Sequence, residues 1–279
     1  MSTSFSVLLS VYHGDDPAQL DAALASCFRQ TREPDELLVV EDGPLTEALE
    51  AVLDRWATER PKQIRRHALP ENRGLGEALR IGVRECRHQL IARFDADDVN
   101  VETRFEIQCD FMASHPEIDV LGGYIGEFTD DPETLNRRRE VPTAHDAIRR
   151  RARFRNPINH VTVMFRREAV LSVGNYRPVM PLEDYDLWVR LLCDGATFRN
   201  LPEVLVKVRA GEEMIARRGG LAYARADARR QWDFYRRGFV SLPVMLVNLV
   251  TRVPLRLVPP SIRHFIYTAV ARDPADATR

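Results

Sequence analysis

The chain has 279 residues, 44 % apolar and 29 % charged. This ordinary globular composition excludes collagen-like, low-complexity and disordered chains, and it suffices for a sizeable core in one large or two small domains. The net charge of −1 hides an asymmetry, because positions 1–136 carry 13 basic and 27 acidic side chains and positions 137–279 carry 27 and 14. The acidic front half argues against nucleic acid as its partner. The basic back half calls for an anionic one, such as a membrane surface, a pyrophosphate or a nucleic acid. Cys27, Cys86, Cys109 and Cys193 show no CxxC or zinc-like spacing, and the start of the chain runs straight into an apolar strand pattern. Four reduced thiols in a cytoplasmic chain without a leader peptide are therefore expected. No stretch reaches the roughly 18 uncharged apolar residues of an ordinary membrane span.

In chain order, residues 4–11 are a short β-rich apolar run, and 17–29 show helical spacing at Leu20, Ala23, Leu24, Cys27 and Phe28. A second apolar run, 36–40, ends at Glu41-Asp42-Gly43; 45–56 read as helix and 63–69 as a third strand. Residues 74–87 are helical, and a fourth apolar run, 89–94, ends at Asp95-Ala96-Asp97-Asp98. Strands alternating with helices at this rhythm imply βαβ units and a parallel sheet. Right-handed crossovers put every strand's C-terminal end on one edge, where ligands bind in open α/β sheets. Beyond it, 105–114 read as helix, 118–122 as strand, 123–160 as irregular and polar with a run of arginines, and 161–165 as strand. A short helix over 185–193, a last strand over 204–208 and an arginine-rich helix over 214–237 follow.

Several short constellations carry chemistry. In Asp95-Ala96-Asp97-Asp98, two carboxylates two residues apart at a strand end suit a hard divalent cation, although Asp97 or Asp98 could equally cap the next helix. Asp42 could accept hydrogen bonds from a nucleobase or ribose, or simply stand in a glycine turn. Glu71-Asn72-Arg73-Gly74-Leu75-Gly76 opens a helix with two glycines, which suits phosphate or a plain turn, but is neither GxGxxG nor a P-loop. Glu183, Asp184 and Asp186 crowd a helix start, where they either cap it or tune one carboxylate as a general base. His160 is a lone histidine before a strand. Tyr12 and His13 could stack on a base or cover the sheet edge.

Taken in order, SVLLSVYHGD, VVEDG, PENRGLGEALRIG, ARFDADDVNVETRFEIQ, NPINHVTVMFRRE and PLEDYDLWVRLL resemble the family 2 glycosyltransferases, in the flavour that builds bacterial exopolysaccharide, capsule or O-antigen. The motifs span residues 5 to about 208. The resemblance implies the GT-A fold: an α/β, Rossmann-like, mixed but mainly parallel sheet flanked by helices, here with a C-terminal helical extension. It implies an inverting transfer of one sugar from a nucleotide-diphosphate sugar, with UDP the expected nucleotide, to an acceptor hydroxyl. Asp97 would hold Mg²⁺ or Mn²⁺ on the diphosphate, and Asp95 would contact ribose and support the metal. Asp42 would contact the base, and the Val11–Tyr12 turn would lie against it, with Asn72 and Gly74 on the nucleotide side. Asp184 would be the catalytic base and Glu183 its support, while His160, Trp188 and Arg190 would line the acceptor side. The QxxRW motif of processive synthases is absent, which argues for single additions; Arg73 and Arg80 depart from the residues common at their positions.

The expected division is a catalytic domain over 1–210 and a basic amphipathic tail over 211–279. Between Met214 and Arg272 the tail has eleven arginines and two acids, Asp227 and Asp233. An interfacial helix pair would bury Phe239, Leu242, Val244, Leu246 and Leu249 at the headgroup boundary, with a second amphipathic run over 262–270. The expected partners are a nucleotide-sugar donor, a saccharide acceptor linked to lipid pyrophosphate and an anionic membrane surface, but not nucleic acid. The expected location is cytoplasmic, peripheral on the plasma membrane. Two other readings compete: a sugar-nucleotide nucleotidyltransferase, disfavoured by the acidic turn Tyr12-His13-Gly14-Asp15-Asp16, and a non-catalytic nucleotide-binding scaffold, disfavoured because every expected acid is present.

Overall fold

The computed structural model describes residues 3–179, 181–210 and 219–258. The chain divides into two compact units, Met1–Arg209 and Ala210–Arg279.

In the first unit, strands β1 (Phe5–Val11), β2 (Glu36–Glu41), β3 (Ile64–Ala68) and β4 (Leu90–Asp95) alternate with helices α1 (Pro17–Phe28), α2 (Glu47–Glu59) and α3 (Leu75–Glu85). Local chemistry sets the helix starts. Asp16 accepts from the Ala18 and Gln19 amides ahead of Pro17, and the Thr46 hydroxyl accepts from Leu49. The four strands are parallel in the order β3-β2-β1-β4. Val7, Leu9, Leu37, Val39, Ala92 and Phe94 are wholly or almost wholly buried, as strands covered on both faces must be.

After β4 the sheet turns mixed. A two-residue strand β5 (Val99–Asn100) leads to α4 (Arg104–Ser114), then β6 (Val120–Phe128), β7 (Arg137–Arg139), α5 (His145–Ala152), a 3₁₀ turn at His160–Thr162, β8 (Met164–Arg166), α6 (Arg167–Ser172), α7 (Glu183–Cys193) and β9 (Phe198–Arg209). The sheet continues β4-β8-β6-β9-β5, with β7 on the edge of β6. β8 is antiparallel to both its neighbours, while β6 and β9 are parallel. Here the sequence expectations fail in three places. The strand expected over 161–165 is the 3₁₀ turn followed by β8, because the Thr162 hydroxyl bonds back to the Asn159 carbonyl. The polar stretch expected to be irregular contains the end of β6, all of β7 and α5. The last strand is more than twice its expected length, since glycines in β6 let β9 side chains lie across it: a Cβ at Gly122 would meet the Asn200 amide, and one at Gly123 would come within 2.4 Å, in contact with Leu205.

The described part of the second unit is a helix pair, α8 (Leu221–Arg236) and α9 (Leu242–Leu257). Asp227, buried, pairs with Arg252 at 2.8 Å and with Arg256 at 3.4 Å, and Asn248 donates to Gln231 at 2.7 Å. Phe239 is buried in edge contact with Phe234, and so is not one of the exposed apolar residues expected of it. Leu242 and Leu246 are exposed, with Val247, Val250 and Leu257 beside them; Val244 and Leu249 are half-buried. The arginine-rich helix begins at Leu221; positions 214–218 and the run 262–270 lie outside the described residues. No helix among the described residues is long and apolar enough to cross a membrane.

Candidate active site

The parallel strands bring the predicted donor-side residues to one edge. Register pairs Val11 with Glu41 and Ser10 with Asp95, so the ends of β2, β1 and β4 stand side by side. Tyr12, 36 % exposed, follows β1, its amide held by Asp15 at 2.9 Å. Asp42 is buried, and its two oxygens accept from the Arg73 and Gly74 amides at 2.7 and 2.9 Å. This clamp brings Asn72 and Gly74 to the end of β2. Gly43 makes the close approach feasible: its φ is +88°, and a Cβ there would lie 2.5 Å from the Asn72 nitrogen. Gly74 itself (φ +84°) is the residue from which α3 starts, so the clamp ties the start of α3 to the end of β2.

Asp95, Asp97 and Asp98 each place a carboxylate oxygen within 4.8 Å of the others, a set of hard oxygen donors of the kind Mg²⁺ or Mn²⁺ takes. The three differ in surroundings. Asp97 is exposed. Asp98 is buried and accepts from the Arg209 amide at 3.0 Å; burial first, then Asp97 and Asp95, pushes its carboxyl well above the usual range. Asp95 receives a two-pronged ion pair from Arg93, one arm at 2.5 Å. Arg104 supports the loop from beneath, donating to Asn100 at 2.6 Å, Gln108 at 3.0 Å and the Arg93 carbonyl at 2.8 Å.

The second acidic group sits at the start of α7. Leu182, with φ +102°, precedes Glu183, a strained conformation for a non-glycine residue. Its amide donates to the Glu183 carboxylate at 3.0 Å. Asp184 accepts from the Tyr185 amide at 2.6 Å and from the Asn156 side chain at 2.5 Å. Burial raises the proton affinity of both acids, and Asp184 adds to the rise at Glu183, whose pKa stands at about 7. This group is tied to the donor edge through α3. A Cβ at Gly76 would lie 2.6 Å from the Arg177 carbonyl and 3.4 Å from the Glu183 Cβ, and Asn175 donates to the Arg80 carbonyl at 2.8 Å.

The profile of the glycosyl transferase family 2 matches residues 6–174, more than half of the chain. A galactosyltransferase of Escherichia coli, UDP-Gal:α-D-GlcNAc-diphosphoundecaprenol β-1,3-galactosyltransferase, is 37 % identical over 96 % of either chain. The chain belongs to glycosyl transferase family 2. The amylovoran biosynthesis glycosyltransferase AmsE of Erwinia amylovora is 38 % identical over 94 % of this chain and 97 % of its own. Mannosyltransferase PcManGT of Pyrobaculum calidifontis, solved with GDP-Man and Mn²⁺, shares the fold at TM-score 0.65 and 15 % identity, over 99 % of this chain and 78 % of that one. The sheet and its flanking helices are thus the GT-A architecture, and the chain is a glycosyltransferase.

Three predicted acceptor-side residues of this glycosyltransferase lie deeper than expected. His160 bonds the buried Tyr176 hydroxyl at 2.8 Å, and burial together with Arg93 pushes its pKa well below the ordinary value, leaving it neutral. Trp188 is fully buried, edge-on to His160. Arg190 is 3 % exposed and donates to Asp186 at 2.8 Å and the Val173 carbonyl at 2.7 Å, which holds α7 in place.

The residue the sequence reading missed is Arg93. Buried in β4, it grips Asp95, and its charge is felt by Asp98, His160, Tyr176, Glu183 and Asp184. The available signal was an arginine two residues before the first acid of DxD, inside an otherwise apolar strand. Asn156 was also missed, although it opens the quoted NPINH motif.

Proposed function

We propose that the chain transfers a single sugar, with inversion, from a UDP-sugar to a hydroxyl of a saccharide carried on a lipid diphosphate. The observation that carries this reading is the pair of acidic groups held by separate elements but both within the field of Arg93: three carboxylates at the end of β4, and a proton-hungry Glu183–Asp184 pair, Glu183 buried and Asp184 half-buried, at the start of α7. The 37 % relative named for UDP-Gal and a diphosphoundecaprenol acceptor supports the donor and acceptor classes.

Asp97, with Asp95 and Asp98 beside it, would hold a divalent cation. Such an ion supplies charge neutralisation to the leaving diphosphate; the mannosyltransferase neighbour was solved with Mn²⁺. Val11, Tyr12 and Asp42 would bound the nucleotide side, with the start of α3, tied by Asp42, beside the phosphates. Asp184 takes the proton of the acceptor hydroxyl as that oxygen bonds to the anomeric carbon and the bond to the diphosphate breaks. A carboxylate whose pKa is raised toward neutrality is well matched to that transfer. Asn156 fixes one Asp184 oxygen, and the Glu183 carboxylate supports the base from beside it.

In the second unit, the exposed face of α9 (Leu242, Leu246, Val250) and the exposed Arg225, Arg229 and Arg236 of α8 support a peripheral position on the inner face of an anionic membrane. Arg252 and Arg256 are spent on Asp227 and take no part in it.

Calorimetry with UDP, GDP and dTDP, each with and without Mn²⁺, tests the donor assignment. UDP should bind tightly with metal and weakly to Asp97→Ala. Tight metal-free binding, or a preference for GDP, would overturn it. Flotation with phosphatidylglycerol vesicles tests the tail: Leu246→Ser/Val250→Ser should release the protein from them.

A further inference from the structure

The base is built against an arginine-rich segment that no role above uses. The C-terminal end of α5 is pinned to α7 by the Tyr185 hydroxyl, which donates to the Ala152 carbonyl at 2.7 Å, and the following loop is pinned to the base itself by Asn156. On that loop, Phe154 and Arg155 are exposed. From the other side comes β7, paired to β6 through Ile125–Arg139 and Glu127–Arg137. Strand alternation puts Arg137 and Arg139 on one face, while Arg138 faces the other way over the Tyr124 ring. Arg139 is near enough to Asp184 to lower its proton affinity, and the Asn159 amide holds its carbonyl.

Two basic arms and one exposed aromatic ring thus border a centre otherwise lined by carboxylates. A neutral sugar hydroxyl needs no such border. An acceptor carrying negative charge one ring's length from its reacting hydroxyl does, because the acids of the centre would otherwise repel it.

We infer that Arg137, Arg139 and Arg155 form a phosphate-binding lip that receives the diphosphate of the acceptor, with Phe154 against the start of its lipid. This rests on the lipid-diphosphate reading above and adds where that diphosphate is held. Arginine suits the task through its two-pronged geometry.

The test uses the full chain and the double variant Arg137→Gln/Arg155→Gln, which leaves Arg139 and the base untouched. Three rates are measured without vesicles: metal-dependent hydrolysis of UDP-galactose, transfer to α-GlcNAc diphosphate on a short water-soluble lipid, and transfer to a neutral alkyl α-GlcNAc. Hydrolysis should be unchanged. KM for the diphosphate acceptor should rise at least tenfold with kcat nearly constant, and the neutral acceptor should serve wild type and variant equally. Arg137→Lys/Arg155→Lys should recover part of the loss. Wild type that prefers the diphosphate acceptor but is unaffected by the variant overturns the lip. Wild type indifferent to the diphosphate overturns the underlying acceptor reading instead. A defect confined to assays with phosphatidylglycerol vesicles assigns the arginines to lipid headgroups and likewise overturns the acceptor lip.

Discussion

The two halves of the proposed site in the first unit are assembled in different ways. On the donor half, strand ends in parallel register deliver Val11, Glu41 and Asp95 side by side, with backbone amides holding Asp42 and Asp98 and Arg93 gripping Asp95. On the acceptor half, a left-handed leucine leads into Glu183 and Asp184, and the Asn156 side chain joins the Leu182 and Tyr185 amides in holding them, with Tyr176–His160 and Arg190–Asp186 packed around. A site assembled from register tolerates change in its side chains. A site assembled from side-chain contacts depends on each of them.

The sharpest way to break this contrast is at the base. Asp184→Asn keeps the shape and removes the proton acceptor, so kcat should fall by about 10³-fold while calorimetric UDP binding stays intact. Loss of UDP binding would mean that the halves are not separable. Next in size is Arg93→Met, which removes a buried cation that both halves feel. Turnover should fall on the order of tenfold or more, about 1.4 kcal/mol in the barrier, and the base pair should become harder to ionise. The acid limb of kcat/KM should therefore move to higher pH, and Arg93→Lys should move it partly back. In the unmodified enzyme that limb should lie above the ordinary carboxylate range, because burial raises the proton affinity of Glu183 and Asp184 and the base works only when ionised. A rate profile flat from pH 5 to 8 would remove the pair from the proton transfer. The smallest effect belongs to the donor half: Gly43→Ala strains a φ of +88° and crowds the Asn72 amide. It should cost about 1–3 kcal/mol of stability, read by denaturant unfolding, and raise KM for the donor with little change in the pH limb.

The same contrast explains what could be read from the sequence. The first half was legible because apolar runs, glycine turns and acids recur at the βα rhythm, so Asp42, Asp95 and Asp97 could be placed on one edge before any coordinates. The second half hid its elements. Arg137–Arg139 reads as solvated loop yet forms an edge strand. β6 carries Gly122, Gly123 and Gly126, which lower strand propensity but are needed for close packing. Arg190 looked like a ligand contact because its partner, Asp186, lies one helical turn away and looked like part of the acidic site. Arg93 offered only its place two residues before the first acid of DxD; nothing local says that such an arginine will be buried and felt by both acidic groups.

Gly76 ties the two halves together, and that has a genetic consequence. A single methyl at this donor-loop position would press on the Arg177 carbonyl and, through it, on the segment leading to Glu183. Substitutions at Gly76 and across 177–183 should therefore be epistatic. Pairs drawn from Gly43 and that segment, which share no contact described above, should combine additively. In a library of random variants, suppressors of a Gly76 defect are expected in the loop before α7, about a hundred residues along the chain from the position they repair.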